Sequence, residues 1–132
     1  VQQKVKDLGL NSKFTFHGWV KGDKKNQQLG NADVFVLPSY AEGLPNSMLE
    51  AMLAKTAVVV SDVGSIPEVI ETGENGFMYS KGNVKALKDA LEQLILNEQL
   101  RRNVSINGYE TVVKHHNIKN VEKYLLSLMK DW

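Results

Sequence analysis

Ala32-Asp33-Val34-Phe35-Val36-Leu37-Pro38-Ser39-Tyr40-Ala41-Glu42-Gly43-Leu44-Pro45-Asn46-Ser47-Met48-Leu49-Glu50 is the stretch that decides the fold. From Ala32 to Leu37 it is an almost unbroken apolar run, stopped by Pro38, and such a run suits a strand buried on both faces. Ser39 to Pro45 reads as a loop, and a helix is expected from about Asn46 to Lys55. Directly after it, Ala57-Val58-Val59-Val60 reads as a second fully buried strand, ended by Ser61-Asp62. A strand, a helix and a strand in this order pack as a parallel sheet covered by helices.

Working outward, Phe14-Thr15-Phe16-His17-Gly18-Trp19-Val20 alternates aromatic and β-branched residues and predicts a further strand. Lys21 to Gln28 reads as a polar loop with a short surface helix. Val5 and Leu8, followed by Gly9, read as the last turns of a helix with its C-cap. Beyond the second core strand, Ile66 to Glu71 predicts a short helix, Gly73 to Gly76 a turn and Phe77 to Tyr79 a short strand. From Asn83, a good N-cap, the period turns helical. Val84, Leu87, Leu91, Leu94 and Ile95 mark one helix face. Leu100, Val104, Val112 and Val113 mark a second, and Ile118, Val121, Leu125 and Leu128 a third.

The fold class expected is therefore α/β: a Rossmann-like parallel sheet with flanking helices and a helical C-terminal tail. The 132 residues suffice for a single domain. Three or four strands are few for a doubly wound sheet, and the others are expected before Val1. Val1 is not an initiator Met and opens no signal-peptide pattern, so the chain is expected to be an N-terminally truncated part of something longer.

Composition narrows the function. Apolar residues make up 42% and charged residues 23%, as in an ordinary globular protein. Sixteen basic residues against fifteen acidic ones leave a formal charge of +1, which gives no strong attraction for nucleic acid or anionic membrane. No purely apolar run exceeds four residues, whereas a spanning helix needs about twenty. There is no cysteine, which removes disulfides, thiol catalysis and zinc-thiolate sites. A reducing cytoplasm is compatible with that, and it is the location expected.

In an open parallel sheet, ligands sit outside the carboxyl ends of the strands, so the loop from Ser39 to Pro45 is the candidate site. Gly43 lets backbone approach a ligand. Pro45 is placed like a first-turn proline, where its missing N–H costs nothing. The amides of Asn46 and Ser47 are then free at a helix N-terminus, which favours phosphate. At 100° per residue, Met48, Leu49, Met52 and Leu53 form the buried arc, and Glu50 projects from the side of Asn46 and Ser47. Carboxylates beside phosphate-binding amides suit sugar hydroxyls, since they repel the phosphate itself. A plainer reading fits the same residues: Glu42 favours the helix dipole and Glu50 is simply solvated. Spacing alone leaves the two readings open.

A resemblance bears on that choice. Glu42-Gly43-Leu44-Pro45 with Glu50-Ala51-Met52 resembles the E-x7-E signature of the retaining, nucleotide-sugar-dependent group 1 glycosyltransferases. Phe16-His17-Gly18-Trp19-Val20 resembles that family's F-x-G-x-V strand, and Ala32 to Ser39 its A-D-V-x-x-x-P-S strand. Val59 to Ile70, with Asn75-Gly76-Phe77, resembles the stretch downstream. The match runs from about Phe14 to Tyr79, with four pieces in order.

The resemblance implies that this chain is most of the C-terminal, donor-binding domain of a GT-B fold. Glu42, the first carboxylate of the pair and the catalytic residue, would contact the transferred sugar, and Glu50 would bind the nucleotide ribose. Backbone at Gly43, Leu44, Asn46 and Ser47 would hold the diphosphate, and Val20 would lie by the base. The partners implied are a nucleotide-diphosphate sugar, an acceptor of unknown kind and an N-terminal acceptor domain of the same protein. No metal and no separate cofactor are implied. Two departures stand out: the family's diphosphate-gripping Arg and Lys have no counterpart here, and Lys55-Thr56-Ala57 replaces its Gly-x-Pro.

Other residues carry plainer expectations. His17 reads as a hydrogen-bonded structural histidine, Trp19 as a core or domain-interface residue, and Asp62 and Glu68 as caps or surface acids. Lys21, Lys24 and Lys25 read as a solvated basic patch. His115 and His116 read as a helix C-terminus. Two alternatives compete with a transferase: a GT-B relative such as a sugar-nucleotide epimerase or phosphorylase, and a degenerate nucleotide-binding or interaction module without catalysis.

Overall fold

Three parallel strands, β1 (Val34–Leu37), β2 (Ala57–Ser61) and β3 (Phe77–Tyr79), pair in the order β1-β2-β3 in a computed structural model that describes residues 1–115. The described residues also form five α-helices, of which the last three pack on the strands: α1 (Gln2–Asp7), α2 (Gly22–Asn31), α3 (Asn46–Leu53), α4 (Val84–Leu96) and α5 (Glu98–His115). Val36 and Phe77 both register with Val59, so β2 is the centre of the sheet.

All five residues of β2 are buried, and they alternate between two cores. Val58 and Val60 pack with Met48, Ala51 and Met52 of α3 and Val112 of α5. Ala57 and Val59 pack with Phe77, Tyr79, Ala90 and Leu94 of β3 and α4, and with Val104 of α5. Successive side chains of a strand point to opposite faces, so a continuous apolar run is what a strand covered on both sides requires. The three layers expected from the sequence are therefore present. Asn83 caps α4 as its type suggests, accepting the Ala86 N–H at 3.0 Å.

Several expectations are corrected. Phe14 to Val20 forms no strand: it is irregular chain outside the sheet, turning at Gly18 with φ of +64°, with Phe14, Phe16 and Trp19 exposed. An extended segment becomes a strand only where a second backbone answers its N–H and C=O groups, and among the described residues none lies beside it. Trp19 is 91% exposed rather than in a core, and His17 is exposed with no hydrogen bond among the described residues. β1 starts at Val34 rather than Ala32 and is half-buried throughout, because only β2 flanks it.

The helix expected over Ile66 to Glu71 is a single 3-10 turn, Ile66–Glu68. On α4, Val84 and Ile95 are exposed. A helix of this length spans ~20 Å, and a three-residue strand ~10 Å, so the ends of α4 overhang β3. Leu53 of α3 is exposed as well. The third tail helix and His116 lie outside the described residues.

Candidate functional site

The loops after β1 and β2 both emerge at the carboxyl edge of the sheet, and they are tied to each other. Ser61, fully buried at the end of β2, donates its hydroxyl to the Ser39 carbonyl at 2.6 Å. Ser39 in turn donates its own hydroxyl to Glu42 Oε1 at 2.6 Å. The Ser65 N–H donates to the Gly43 carbonyl at 3.0 Å. The orientation of Glu42 is thus set by a relay that starts in the centre of the sheet.

Gly64 explains how the two loops come so close. Its φ is +57°, and a Cβ built there would lie 2.2 Å from the Glu42 carbonyl oxygen and 2.4 Å from that of Gly43. No side chain fits that gap. Only glycine combines the left-handed backbone with the missing Cβ.

α3 begins immediately afterwards. Pro45 is the N-cap rather than a first-turn residue, with extended φ/ψ, and is buried. Its carbonyl accepts the N–H groups of Met48 and Leu49. No side chain caps the helix, so the N–H groups of Asn46 and Ser47 have no partner among the described residues. The helix therefore presents unpaired donors and the positive end of its dipole towards the Glu42 loop. Asn46 is exposed and Ser47 half-buried.

Glu50 sits one turn further on. Its carboxylate is held by Lys25 of α2, whose Nζ lies 2.8 Å from Oε1 and 2.8 Å from Oε2. Both side chains are about one-third exposed. Lys25 is thus not a solvated charge, in contrast to what its place in a basic stretch suggests. Beside the pair lies a groove of about 450 Å³ lined by Asn26, Leu29, Gly30, Glu50, Leu53 and Ala54. The buried Thr56 hydroxyl donates to the Leu29 carbonyl at 2.6 Å and fastens the end of α2 against the start of β2.

The sheet edge has other occupants. Asp62 accepts the Lys81 N–H at 2.8 Å, a turn-capping role. Burial, followed by the proximity of Tyr40 and Asp62, pushes the Tyr79 hydroxyl above its ordinary pKa. Among the described residues, no group of three or more His, Cys, Asp or Glu is placed to hold a metal ion, and no helix is long and apolar enough to cross a membrane.

Glu42, Gly43, Leu44, Asn46, Ser47 and Glu50 thus form one continuous loop and helix start. Val20 is half-buried and lies just before α2, outside that stretch. Sequence reasoning missed the role of Lys25, and it placed Ser39, Ser61 and Gly64 in the motif stretches without their contacts to the Glu42 loop. The local pattern carries no signal of those contacts, because each residue acts on a partner brought near by the fold. Chemically, the arrangement offers amide donors for an anion, flanked by two oriented carboxylates for hydroxyls.

The comparisons with known proteins agree on one family. The family model described as Glycosyl transferases group 1 matches residues 1–111. An N,N'-diacetylbacillosaminyl-diphospho-undecaprenol alpha-1,3-N-acetylgalactosaminyltransferase of Campylobacter jejuni is 36% identical over 97 residues, 74% of this chain and 26% of that enzyme. The C-terminal domain of a glycosyl transferase group 1 family protein from Francisella tularensis superposes with a TM-score of 0.79 at 33% identity, covering 89% of this chain and 60% of that one. HepE of Anabaena, solved in complex with UDP, has the same fold with a TM-score of 0.92 at 21% identity, over 99% of this chain and 36% of its own. The chain spans about a quarter to a third of the length of the curated relatives it matches.

Proposed function

The chain belongs to the group 1 glycosyl transferase family, with the fold of a GT-B C-terminal domain, and on that premise we propose that it is the donor-binding part of a retaining glycosyltransferase. The observation that carries this reading is the uncapped start of α3 between two carboxylates. Asn46 and Ser47 point free N–H groups at the loop that Glu42 closes, with Glu50 one turn behind. A nucleoside diphosphate sugar matches that order of groups from sugar to phosphates to ribose.

In this reading the amides of Gly43, Leu44, Asn46 and Ser47 hold the diphosphate. Glu42 orients the transferred sugar, Glu50 accepts the ribose hydroxyls, and Val20 lies beside the base. The bond between the sugar's anomeric carbon and the diphosphate oxygen breaks, an acceptor hydroxyl oxygen forms the new bond from the same face, and the hydroxyl's proton passes to the departing diphosphate. Amide donors at a helix start favour the negative charge that grows on the departing diphosphate. The acceptor site belongs to a part of the protein outside this chain, so the chain by itself transfers no sugar. The reading needs no resident metal, and it keeps the cytoplasm as the compartment expected from the sequence.

The test uses the protein expressed from its complete gene. It is titrated with UDP, GDP and ADP and with their sugar conjugates. One nucleotide is expected to bind saturably, and Glu50→Ala to weaken it about tenfold or more by removing charged hydrogen bonds. Glu42→Ala is expected to lower turnover about a hundredfold, as misplacement of a reacting group does, with a smaller effect on affinity. Equal losses of affinity in both variants with turnover preserved would overturn the division of roles. No binding to well-folded protein would leave an interaction module as the better account.

A further inference from the structure

We infer that Lys25 is an autoinhibitory latch on the candidate site: its ammonium holds the Glu50 carboxylate in the place of the ribose hydroxyls, and a nucleotide must displace it to bind. The inference rests on the reading of Glu50 above. It adds a competitor for that residue, so removing Lys25 should strengthen binding rather than weaken it.

The geometry sets up the competition. The Lys25 ammonium lies 2.8 Å from Oε1 and 2.8 Å from Oε2 of Glu50. One cation thus bridges the open end of the carboxylate, the face on which two neighbouring hydroxyls would approach as donors. The lone pairs left over point to opposite sides of the group and do not serve a pair of adjacent hydroxyls. Lys25 and a ribose diol therefore exclude each other at Glu50.

The latch opens at a side chain and not at a helix. The buried Thr56 hydroxyl donates to the Leu29 carbonyl at 2.6 Å and fastens α2 one turn beyond Lys25, so the lysine backbone stays where it is. Its flexible stem and its partial exposure let the ammonium swing into water. An ion pair between side chains that are 34% and 36% exposed contributes little to folding. It is strong enough to compete for Glu50 and weak enough to yield. A deeply buried pair would resist opening, because each charge would be left unpaired away from water.

The contact is also not a general feature of the charged surface. Lys21 and Lys24, in the same basic stretch, have no acidic partner among the described residues. Lys85–Asp89, Lys88–Glu92 and Glu98–Arg102 each join residues one turn apart on a single helix. Lys25 instead reaches across from α2 to α3 and takes up a carboxylate of the candidate site.

The experiment is a double-mutant cycle on the protein from its complete gene, read as the dissociation constant of the nucleoside diphosphate that binds best. The forms are the wild type, Lys25→Met, Glu50→Gln and the double variant, each checked for its fold by circular dichroism. Lys25→Met should tighten binding about two- to fivefold, the worth of an exposed ion pair that no longer has to be broken. In the Glu50→Gln background no ion pair holds the site, and the same substitution should bring no gain. Lys25→Arg keeps a cation against Glu50 and should bring none either. Lys25→Gln, which also removes the charge, should repeat the gain and serves in place of Lys25→Met if that variant does not fold.

Equal effects of Lys25→Met in the two backgrounds overturn the inference. So does weaker binding in the wild-type background than in the Glu50→Gln one, which marks Lys25 as a support for Glu50 and not a competitor. Both outcomes leave the donor site standing. Failure of every nucleotide to bind the wild type is the separate outcome that defeats the function proposed above, and the latch with it.

Discussion

Ala57–Ser61 and Phe14–Val20 are both rich in residues that favour strands, yet they behave in opposite ways. The first is the centre of the sheet, with every residue buried and a partner strand on each side. The second is irregular chain in which Phe14 and Phe16 stack on each other, ring centroids 6.2 Å apart, and otherwise face solvent. β-propensity describes fitness for a pleated, half-buried surface, not a tendency of the backbone in isolation. The difference is therefore one of neighbours. β2 has two helical layers and two strands to meet, and Phe14 to Val20 has none of them among the described residues.

The largest way to break this comparison is to substitute a glycine in each region. Gly64→Ala inserts a methyl group 2.2 Å from the Glu42 carbonyl oxygen, on a residue with φ of +57°. Left-handed strain and overpacking together should cost roughly 2–4 kcal/mol, read by urea unfolding, and nucleotide binding should fall as the Glu42 loop is displaced. Gly18→Ala meets nothing within 4 Å, although its φ is +64°. Because that segment is outside the sheet and free to relax, its cost should be under about 1 kcal/mol. Equal costs at the two glycines would mean that the loop around Glu42 is not pinned by the end of β2.

A smaller effect sharpens the same contrast in side chains. Val59 is completely buried and touches both neighbouring strands through its register. Val59→Ala should lose about 1–3 kcal/mol, the transfer term plus a residual cavity. Phe16→Ala removes a larger group, but one that is 46% exposed. It should cost under about 1 kcal/mol in the 132-residue chain. A Phe16 cost above that of Val59 would show that Phe14 to Val20 is packed in solution.

The same contrast marks what was legible in the sequence. Where a residue's neighbours are its own kind, the pattern suffices. The run Ala57–Val60 announces a doubly covered strand, Asn83 announces a cap, and the stretch from Glu42 to Glu50 announces a loop and a helix with open amides. Where the outcome depends on a distant partner, the pattern is silent. Nothing near Lys25 says that it meets Glu50 twenty-five positions later. Nothing near Gly64 says that it lies against the Glu42 carbonyl. Phe14 to Val20 departs from its pattern for the same reason, since its alternation is genuine and its partner is what decides.

The smallest effect concerns the entry to β2, where this chain has Lys55 in place of the glycine that related sequences are expected to carry. Lys55 follows the C-cap of α3 and has φ of +58°. Its N–H donates to the Met52 carbonyl and that of Thr56 to Ala51, each at 3.0 Å, which closes the helix in a Schellman motif. A lysine in the left-handed region costs about 1–2 kcal/mol. Part of that is offset by its ammonium, which lies 4.8 Å from the centre of the Tyr109 ring, a contact worth about 0.5–1 kcal/mol at an exposed site. Lys55→Ala keeps the backbone strain and loses the contact, so it should lower stability by about 0.5–1 kcal/mol. Lys55→Gly loses the contact and relieves the strain, but it adds freedom to the unfolded chain worth roughly 0.4–1 kcal/mol. These terms nearly cancel, and Lys55→Gly should match the wild type to within about 0.5 kcal/mol. The order of the two variants is the test, because alanine is the better helix former and is expected here to be the worse residue. If alanine proves as good as glycine in urea unfolding, the turn into β2 tolerates rearrangement, and the rigid entry that sets β2 apart from Phe14 to Val20 is not a property of the folded chain.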